Sequence, residues 1–578
     1  YGGNTGTVVG VTPRKVRVSV AGHGEKVLNM TSISPMRSLG ATDDADDTPA
    51  GAVAAVSATV IDAVDEKAGS TSSVTDESGS EAAALSQHRP VSDRSGLYFF
   101  LVILALSGMS FTGVVPGFPS GQDTSTFGGG DIVEFFQDCM SGNKRCVITN
   151  VTRGWSFRGT PASLANDFEL SRNPELQTCK GLENLTRVGG DINVFNNPTL
   201  ASLTGLENIA AVGDDVNIVG NPRLTDISAL QGLSGELPGD VNLHANPVLS
   251  SLHGLDNITG LSGDFQVTNL EALIDLSGIQ NLSTVGGSVN VVDNDRLHSL
   301  SGARVEEIKS HLLVSNNPAL ARIQQDALRT VGGTLKIVNN DQLKVIAFRA
   351  LRSVRSLEIV HNDALVDTSG FQLLEEVLGS LVIEENAALA DLKMDDTVTE
   401  TSDFKRLSRV DGNLRIAENA NLGVLQGFMA LNHLGGSLEV LDNPKLASVG
   451  GFKLLRSIEG DLVAKGNPQL ASLDLPKLEI VSGNLTIAGC DALRTTSGLG
   501  SLRVVGGDLE IADNEGLTAL DGLALESVHG QIRLRQNPKL ADVDAFKSLK
   551  CHGGVYGFDQ DEESDFAPPE WLTKLPRC

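Results

Sequence analysis

Aromatic residues are scarce in this chain: Phe, Tyr and Trp together make up 4% of its 578 residues. Aromatic platforms on which sugar rings could stack are therefore nearly absent, which counts against a polysaccharide-cleaving enzyme. Basic residues are also few, with 45 Lys and Arg against 72 Asp and Glu and a net charge of −27. This balance argues against nucleic acid as a partner. It permits cationic ligands or divalent ions, or simply keeps a long chain soluble.

Cysteine is absent from the first 138 residues, and all six cysteines follow. The asymmetry indicates an oxidising compartment for the later part of the chain alone. We predict two capping disulfides, Cys139–Cys146 and Cys551–Cys578, at the two ends of the repeat region described below. Cys179 stands at an inward leucine position and is an alternative partner for either member of the first pair. Cys490 lies too far from Cys179 along the repeats to pair with it.

Charged residues are absent from Gly96 to Val115, a run of about twenty residues that is long enough to cross a bilayer as a helix. Arg89 and Arg94 precede this run, whereas acidic residues follow it. The positive-inside rule then predicts a type II membrane protein with the later residues outside the cell. A cleaved secretory signal is the alternative reading of the same segment.

A repeated pattern occupies residues 167–555. Each copy reads apolar-x-apolar-x-x-Asn-x-x-Leu-x-x-Leu and ends near Gly-Gly. The apolar-x-apolar core alternates with period two, which predicts a short strand with one face inward. A period in the twenties is typical of a solenoid, whose stacked coils bury a core that one coil cannot. The first strand position of the sixteen copies falls at Phe168, Ile192, Val216, Val241, Phe265, Val289, Leu312, Leu335, Leu357, Leu381, Leu414, Leu438, Leu462, Leu485, Leu509 and Ile532.

An asparagine stands five residues after the first strand position in fourteen of the copies, and Leu270 and Cys490 are the exceptions. Backbone groups at the turn that leaves the strand must find partners inside the protein. An amide side chain offers donors and an acceptor together, so stacked asparagines are predicted to connect successive coils. The gap between Leu381 and Leu414 is longer than the others and indicates a polar loop inserted at residues 393–403.

The chain resembles the receptor L-domain family, which occurs in insulin- and EGF-type receptor ectodomains and in fungal cell-wall surface proteins. The likeness is carried by copies such as Leu431-Asn-His-Leu-Gly-Gly-Ser-Leu-Glu-Val-Leu-Asp-Asn-Pro-Lys-Leu446. It implies a right-handed parallel β-solenoid, related to leucine-rich repeats, that lies outside the cell and has no catalytic activity. In leucine-rich repeats Cys is also tolerated at the asparagine position, so Cys490 conforms to the pattern.

The remaining segments are predicted from composition and pattern. Residues 1–36 alternate polar and apolar residues and are predicted to form a small β-rich segment, part of an SH3-like barrel. Residues 37–95 are rich in Ala, Ser, Thr and Asp and are predicted to be a disordered linker. Residues 96–116 form the predicted transmembrane helix, 117–166 an N-terminal cap and 556–578 a C-terminal cap.

Five of the six acceptor tripeptides for N-glycosylation follow the predicted membrane segment and fit the predicted topology. The sixth, at Asn29, lies on the predicted cytoplasmic side and is predicted to stay unmodified. Three of them occupy the same place in three copies, away from the strand. Glycans there would cover the back of the solenoid and leave the strand face open. The predicted glycosylation sites are Asn150, Asn184, Asn257, Asn281 and Asn484.

Amides recur at the outward strand positions of the second to sixth copies, and Phe195 and His244 lie two residues further along their strands. We predict that these residues bind an extracellular glycan or protein; a stabilising amide ladder is the alternative. The five amides are Asn193, Asn217, Asn242, Gln266 and Asn290.

Aspartates stand just before the strand in four consecutive copies: Asp191, Asp215, Asp240 and Asp264. Stacked carboxylates repel one another unless backbone N–H groups or a cation stabilise them. Turn capping and divalent-ion binding are the two readings.

The sequence offers no Ser/His/Asp set, no phosphate-binding loop and no clustered metal-ligand spacing, so we predict neither enzymatic activity nor a cofactor. The predicted function is a membrane-anchored surface protein for recognition or adhesion. A structural spacer without a ligand is the second reading, and a β-helix enzyme acting on polysaccharides is the third.

Overall fold

The computed structural model describes residues 145–151, 160–392, 403–555 and 570–578 in full, and the backbone of Tyr556. It also describes the backbone of four strands, Gly6–Thr12, Lys15–Val20, Gly24–Asn29 and Thr124–Phe127. The predicted linker, the predicted transmembrane helix, Cys139 and the loop residues 393–402 lie outside these residues. Within the described part of the chain, no helix is long and apolar enough to span a membrane.

The chain forms two units, Tyr1–Pro119 and Ser120–Cys578. In the first unit, Gly6–Thr12 pairs antiparallel with Lys15–Val20, which pairs antiparallel with Gly24–Asn29. A register shift between Val8 and Gly10 marks a bulge in the first pair. The alternation of polar and apolar residues is typical of such strands.

The second unit is a parallel β-solenoid of about sixteen coils, as the repeats predict. Each copy contributes a strand to one parallel sheet, the main sheet, and equivalent positions lie side by side, with Val216 between Ile192 and Val241. The sheet continues in register from Leu381 to Leu414 across the inserted loop. Its strands are Phe168–Ser171, Ile192–Phe195, Val216–Val219, Val241–His244, Phe265–Thr268, Val289–Val292, Leu312–Ser315, Thr330–Val338, Ser353–Val360, Leu381–Glu384, Leu414–Ala417, Leu438–Leu441, Leu462–Lys465, Leu485–Ala488, Leu509–Ala512 and Ser527–Arg535.

The main sheet extends beyond the sixteen copies at both ends. Thr124–Phe127 and Arg145–Ile148 add two parallel strands before Phe168, within the segment predicted as a cap. Cys551–Tyr556 adds one strand after Ser527–Arg535. The added strands lack the full repeat pattern, so the sequence did not reveal them.

Each coil has two further sides. Short parallel strands form a second side just before the Gly-Gly corner: Ser163–Leu164, Arg187–Val188, Gly235–Leu237, Ile258–Leu261, Thr284–Val285, Glu307–Ile308, Glu376–Val377, Arg409–Val410, His433–Leu434, Ser457–Ile458, Ile480–Val481 and Val504–Val505. The third side carries Arg322–Gln324, Val345–Ala347, Asp391–Leu392, Val424–Leu425, Ser448–Val449 and Ser472–Leu473, and 3₁₀ turns at Ser228–Gly232, Ser369–Phe371, Ser497–Leu499 and Asp544–Ser548.

The Gly-Gly corners are explained by the close stacking of successive coils. A Cβ atom on Gly213 would lie 1.8 Å from the carbonyl oxygen of Gly189 in the preceding coil. No real Cβ comes that close to an oxygen, so a larger residue would push the two coils apart. Leu, Val and Ile from the three sides fill the interior between these corners.

The asparagine column forms the predicted ladder inside the solenoid, and Asn362 shows its geometry. Its Oδ1 accepts from the backbone N–H and from Nδ2 of Asn340, each at 3.2 Å. Its Nδ2 donates to the carbonyl of Ile337 at 3.1 Å and to that of Val360 at 2.9 Å. One buried amide therefore bonds the backbone of its own coil and of the preceding coil.

The two exceptions to the column behave differently. Leu270 donates its backbone N–H to Asn294 at 3.0 Å but has no side-chain acceptor for the coil before it. Cys490 directs its sulfur to the carbonyls of Ala464 and Ala488, at 3.7 and 3.6 Å. These are the two positions that an asparagine Nδ2 contacts in other coils, so the thiol takes the place of the amide.

Aromatic rings stack inside five consecutive coils, from the eighth to the twelfth. Phe348, Phe371, Phe404, Phe428 and Phe452 are fully buried, and successive ring centroids lie 5.2 to 5.7 Å apart. Offset stacking of this kind adds stabilisation beyond the apolar area that the rings bury. The scarce aromatic residues are thus partly concentrated in one core stack.

The C-terminal segment closes the last coil. Cys551 and Cys578 form the predicted disulfide, and the short helix Glu570–Thr573 buries Leu572 completely. His552 donates its backbone N–H to Pro576, and its Nε2 lies 2.9 Å from the carbonyl oxygen of Leu572. Cys146 is disulfide-bonded, whereas Cys179 and Cys490 are free and buried.

We expect Cys578→Ser to destabilise the last coil by about 3 kcal/mol, because the disulfide closes a loop with a sequence separation of 27 residues. Hydrogen exchange should accelerate in Ser527–Arg535 and stay unchanged in Ile192–Phe195, since each coil contacts only its neighbours. Equal acceleration in both strands would contradict a local capping role.

Candidate functional site

The candidate site is the amide face: the outward side chains of strands Ile192–Phe195, Val216–Val219, Val241–His244, Phe265–Thr268 and Val289–Val292, with the residue that precedes each strand. Alternate residues of a strand leave the same face of a sheet. Because the strands align in register, the face carries three columns, headed by Asp191, Asn193 and Phe195.

The central column is less accessible than the sequence predicted. The side chains of Asn193, Asn217 and Asn242 are only 4%, 1% and 5% exposed, whereas Gln266 and Asn290 are half-buried. Each buried amide is bordered by the aspartate column, by the third column and by the amides of neighbouring strands. The expectation of an open stripe of five amides is therefore corrected: the first three lie below the surface.

Hydrogen bonding within this column is also less continuous than a ladder would be. Asn217 Nδ2 donates to Asn193 Oδ1 at 3.0 Å, and no other bond joins two of the five amides among the described residues. A stabilising amide ladder therefore explains only the pair Asn193 and Asn217. It does not explain the other three amides.

Two polar atoms at the centre of the amide face are buried without a hydrogen-bond partner: Asn242 Oδ1 and His244 Nδ1. Both side chains are more than nine-tenths buried and leave the same face of one strand. Burial lowers the pKa of His244, so its ring is neutral at pH 7. Such unpartnered atoms are rare in folded proteins because leaving them unbonded costs free energy.

The aspartate column caps the turns between coils. The backbone N–H of Asp215 donates to Asp191 Oδ1 at 3.2 Å, that of Asp240 to Asp215 Oδ1 at 2.8 Å, and that of Asp264 to Asp240 Oδ1 at 2.6 Å. Asp264 caps Ser288 in the same way at 2.7 Å. The predicted turn-capping role is therefore present in each of these coils.

The aspartates are also electrostatically unusual. Burial, and after it the nearby carboxylates of Asp240, Asp191 and Asp214, raise the pKa of Asp215 to about 7. Burial likewise raises the pKa of Asp191 and of Asp240. Carboxylate oxygens of Asp191, Asp214 and Asp215 lie within 4.8 Å of one another. Within the described residues, no Lys, Arg or His forms an ion pair with these carboxylates.

We expect Asp215→Asn to raise the melting temperature in metal-free buffer at pH 8 and to change it little near pH 4. The pKa of Asp215 is about 7 in the folded chain against an ordinary 3.8. Its stabilising protonation is therefore complete below about pH 3.8 and is lost as the pH rises through 7. The asparagine keeps the capping oxygen, as Asn413 and Asn484 do elsewhere. Allowing for solvent screening, the gain at pH 8 is roughly 1–2 kcal/mol.

Thermal melts from pH 4 to pH 8 check this expectation, and Asp508→Asn is the matched control. Asp508 occupies the same column, but hydrogen bonds from the Gln531 backbone and from Arg533 lower its pKa. Its replacement should lower the melting temperature at pH 8. A gain for Asp215→Asn that is independent of pH would count against this account.

The main sheet carries a different outward surface from the eighth coil onward, where acidic and basic side chains pair across neighbouring coils. Lys336 Nζ lies 2.6 Å from Glu358. Arg415 bonds Glu384 at 2.6 Å and Glu439 at 3.0 Å. Farther along, Arg533 pairs with Asp508 and Arg535 with Glu510. These pairs are not apparent in the sequence, because they form only when the coils are placed in register.

The predicted glycosylation sites that follow Asn150 lie on exposed surface outside the main-sheet strands or immediately before one. Asn184, Asn257 and Asn281 are exposed, and Asn257 and Asn281 each donate Nδ2 to a backbone carbonyl of the preceding coil. Asn484 is exposed and caps the backbone N–H of Asp508 at 2.8 Å. Asn150 is also exposed, so all five predicted sites are accessible.

The repeated coils are a fold that occurs in both enzymes and binding proteins, so the geometry of the amide face is the main guide to function. Comparison with protein-family models finds no family that matches this chain, and comparison with curated proteins finds no relative.

Proposed function

We propose that this protein is a membrane-anchored surface protein for recognition or adhesion, and that its amide face binds an extracellular glycan or protein. The observation that carries the proposal is the pair of buried, unpartnered atoms Asn242 Oδ1 and His244 Nδ1. A bound ligand that donates a hydrogen bond to Asn242 Oδ1 and forms one with His244 Nδ1 would satisfy both atoms. In the free protein the two unbonded atoms cost folding free energy. Local destabilisation of this kind is expected at binding sites, where a ligand later supplies the missing hydrogen bonds.

The contrast between the amide face and the later coils of the main sheet supports the same location. From the eighth coil onward, the charged side chains of the surface neutralise one another in ion pairs such as Lys336–Glu358 and Arg415–Glu384. The amide face instead presents amides and carboxylates that no basic side chain of the described residues neutralises. Polar groups that remain available for a partner are what a recognition surface requires.

The extracellular location rests on sequence features and cysteine chemistry. A disulfide closes the last coil, as is usual in secreted proteins and ectodomains. The acceptor tripeptides for N-glycosylation and the uncharged run from Gly96 to Val115 fit a type II topology. The likeness to receptor L domains implies the same compartment.

The test compares the full chain with the double variant Asn242→Ala/His244→Ala on glycan arrays and in capture of extracellular proteins. We expect at least a tenfold loss of affinity for the ligand found. The matched control is Val463→Ala/Lys465→Ala, which changes the same two strand positions of the thirteenth coil, and its affinity should be unchanged.

Stability provides the second readout of this test. Because Asn242→Ala removes an unpartnered buried acceptor, that variant should melt no lower than the parent chain. Equal ligand affinity of the parent and the double variant would remove the proposal. Absence of any captured ligand would favour a structural spacer.

A further inference from the structure

Acidic side chains are concentrated in the coils that carry the amide face. Residues 191–292 contain eleven Asp and Glu but only one Lys or Arg, which is Arg223. The balance reverses in the next coils, where residues 296–355 contain ten Lys and Arg against four Asp and Glu. The acidity is therefore a local property of the second to sixth coils, beyond the general acidity that keeps a long chain soluble.

The negative charge of these coils is also left without internal partners. Among the described residues, the single ion pair that involves residues 191–292 joins His253 to Asp256 at 3.0 Å, outside the main-sheet strands. In later coils Lys336 and Arg415 pair with carboxylates of neighbouring strands of the main sheet. The amide face therefore lies in a region of negative potential, which attracts positively charged groups.

The unpartnered atoms of the amide face define which groups a ligand must bring. Asn242 Oδ1 is buried without a partner, and an amide oxygen can only accept a hydrogen bond. His244 Nδ1 is the second such atom, and its neutral ring accepts or donates according to the tautomer. The ligand must therefore carry at least one hydrogen-bond donor.

The aspartate column lies close enough to Asn242 to act on the same ligand group. Asp240 precedes Asn242 by two residues, so their backbone positions lie about 7 Å apart. Asp215 and Asp264 occupy the aligned positions of the two neighbouring strands, about 5 Å to either side of Asp240. These separations are comparable with the screening length of about 8 Å at physiological ionic strength. A donor that reaches Asn242 is therefore favoured when it is positively charged.

We propose that the ligand of the amide face is a protein segment that places a Lys or Arg side chain against Asn242 and His244. This inference rests on the proposed function and names its ligand class. Ammonium and guanidinium groups donate hydrogen bonds, accept none and are always charged near pH 7. They match an unpartnered acceptor in a negative region, and hydrogen bonds from charged donors are stronger than those from neutral ones.

A neutral glycan fits this face less well. Hydroxyl groups would reach Asn242 Oδ1 but would gain nothing from the charge of the aspartate column. Sugar rings also stack on aromatic side chains. Phe195 is the single Phe, Tyr or Trp of the five strands that leaves the outer face, because Phe265 is buried in the core.

The first experiment measures binding of short acetylated peptides to the full chain by fluorescence anisotropy. Measurements at pH 8 keep the Asp215 carboxylate ionised, since burial raises its pKa to about 7. A Gly-Lys-Gly-Lys-Gly peptide should bind at least tenfold more tightly than the same peptide with glutamine or glutamate in place of lysine. Raising sodium chloride from about 50 mM to about 500 mM should weaken its binding at least fivefold. Equal binding of the lysine and glutamine peptides would overturn the proposal.

Variants of the full chain locate the binding of the lysine peptide. Asn242→Ala/His244→Ala should weaken it at least tenfold. Asp240→Asn keeps an oxygen that can cap the Asp264 N–H and should weaken binding about threefold, the effect of one charge at about 7 Å in water. Asp508→Asn is the control, because it removes a carboxylate of the same column that already pairs with Arg533, and it should leave binding unaltered.

Equal weakening by Asp240→Asn and Asp508→Asn, or full binding by the double variant, would indicate diffuse attraction to an acidic surface and would contradict the proposal. Thermal melts verify that each variant is folded. The comparison of Asp240→Asn with Asp508→Asn remains a test even where the double variant melts below the parent.

The second experiment separates this inference from the proposed function by applying the same variants to the ligand found on glycan arrays or by protein capture. A protein ligand that loses affinity in the double variant, in Asp240→Asn and at high salt supports both. A ligand that is lost in the double variant but binds equally well to Asp240→Asn, such as a neutral glycan, overturns this inference and leaves the proposed function standing. A ligand that the double variant binds as tightly as the parent removes the proposed function and this inference with it.

Discussion

Asn362→Ala is expected to lower the free energy of unfolding by about 3–5 kcal/mol, the sum of several buried polar groups that lose their partners. The substitution removes the acceptor of the Asn340 backbone N–H and the donor to the carbonyls of Ile337 and Val360. Asn362 is fully buried, so water cannot replace these bonds. Urea denaturation followed by circular dichroism measures the loss.

Asn421→Ala is the matched control for this prediction. Asn421 also bonds the preceding coil, donating Nδ2 to the carbonyl of Ala387 at 2.8 Å, but its side chain is exposed. Water can take over its bond, so we expect a loss below about 1 kcal/mol. Similar losses for the two variants would mean that burial of the column contributes little to stability.

Phe428→Ala is the second substitution with a large expected effect, a loss of about 3–5 kcal/mol in the free energy of unfolding. The ring of Phe428 is fully buried, and its centroid lies 5.2 Å from that of Phe404 and 5.5 Å from that of Phe452. Its removal leaves a cavity and ends two stacking contacts. Denaturation midpoints and hydrogen exchange in Leu414–Ala417 and Leu438–Leu441 report the effect.

Two other substitutions define what the ring contributes. Phe428→Leu keeps most of the apolar volume and should lose less than half as much stability as Phe428→Ala. Phe195→Ala, at a half-buried outward position of the amide face, should cost about 1 kcal/mol or less. Equal losses for Phe428→Ala and Phe428→Leu would assign the effect to stacking alone rather than to packing.

The solenoid could be predicted from the sequence because a single copy already shows an apolar strand face that it cannot bury by itself. Residues Ile192 and Val194 indicate a strand, and Asn197 indicates a turn whose backbone must be satisfied inside the protein. Repetition of this unit then predicts the stacked sheet and the ladder. Cys551–Cys578 was also predictable, since an open end of a solenoid must be covered.

Other features depend on how neighbouring coils are placed, which no single copy contains. The alternation of apolar and polar residues along the strand indicates that the Asn217 side chain projects from the outer face of the sheet. It does not indicate how closely the side chains of the flanking columns enclose it. Arg415 and Glu384 are 31 residues apart in sequence, across the inserted loop, and meet only in the assembled sheet. The unpartnered atoms of Asn242 and His244 likewise become visible only when every neighbouring group is in place.

The interruptions of the asparagine column have a mechanical consequence. Leu270 gives the Asn246 backbone N–H no side-chain acceptor, and Cys490 gives that of Asn467 only a sulfur, which accepts weakly. The hydrogen-bonded asparagine ladder inside the solenoid is thus divided into three segments, with interruptions near residues 270 and 490. When force is applied to its two ends, the solenoid should unfold first at these interruptions and extend in discrete steps.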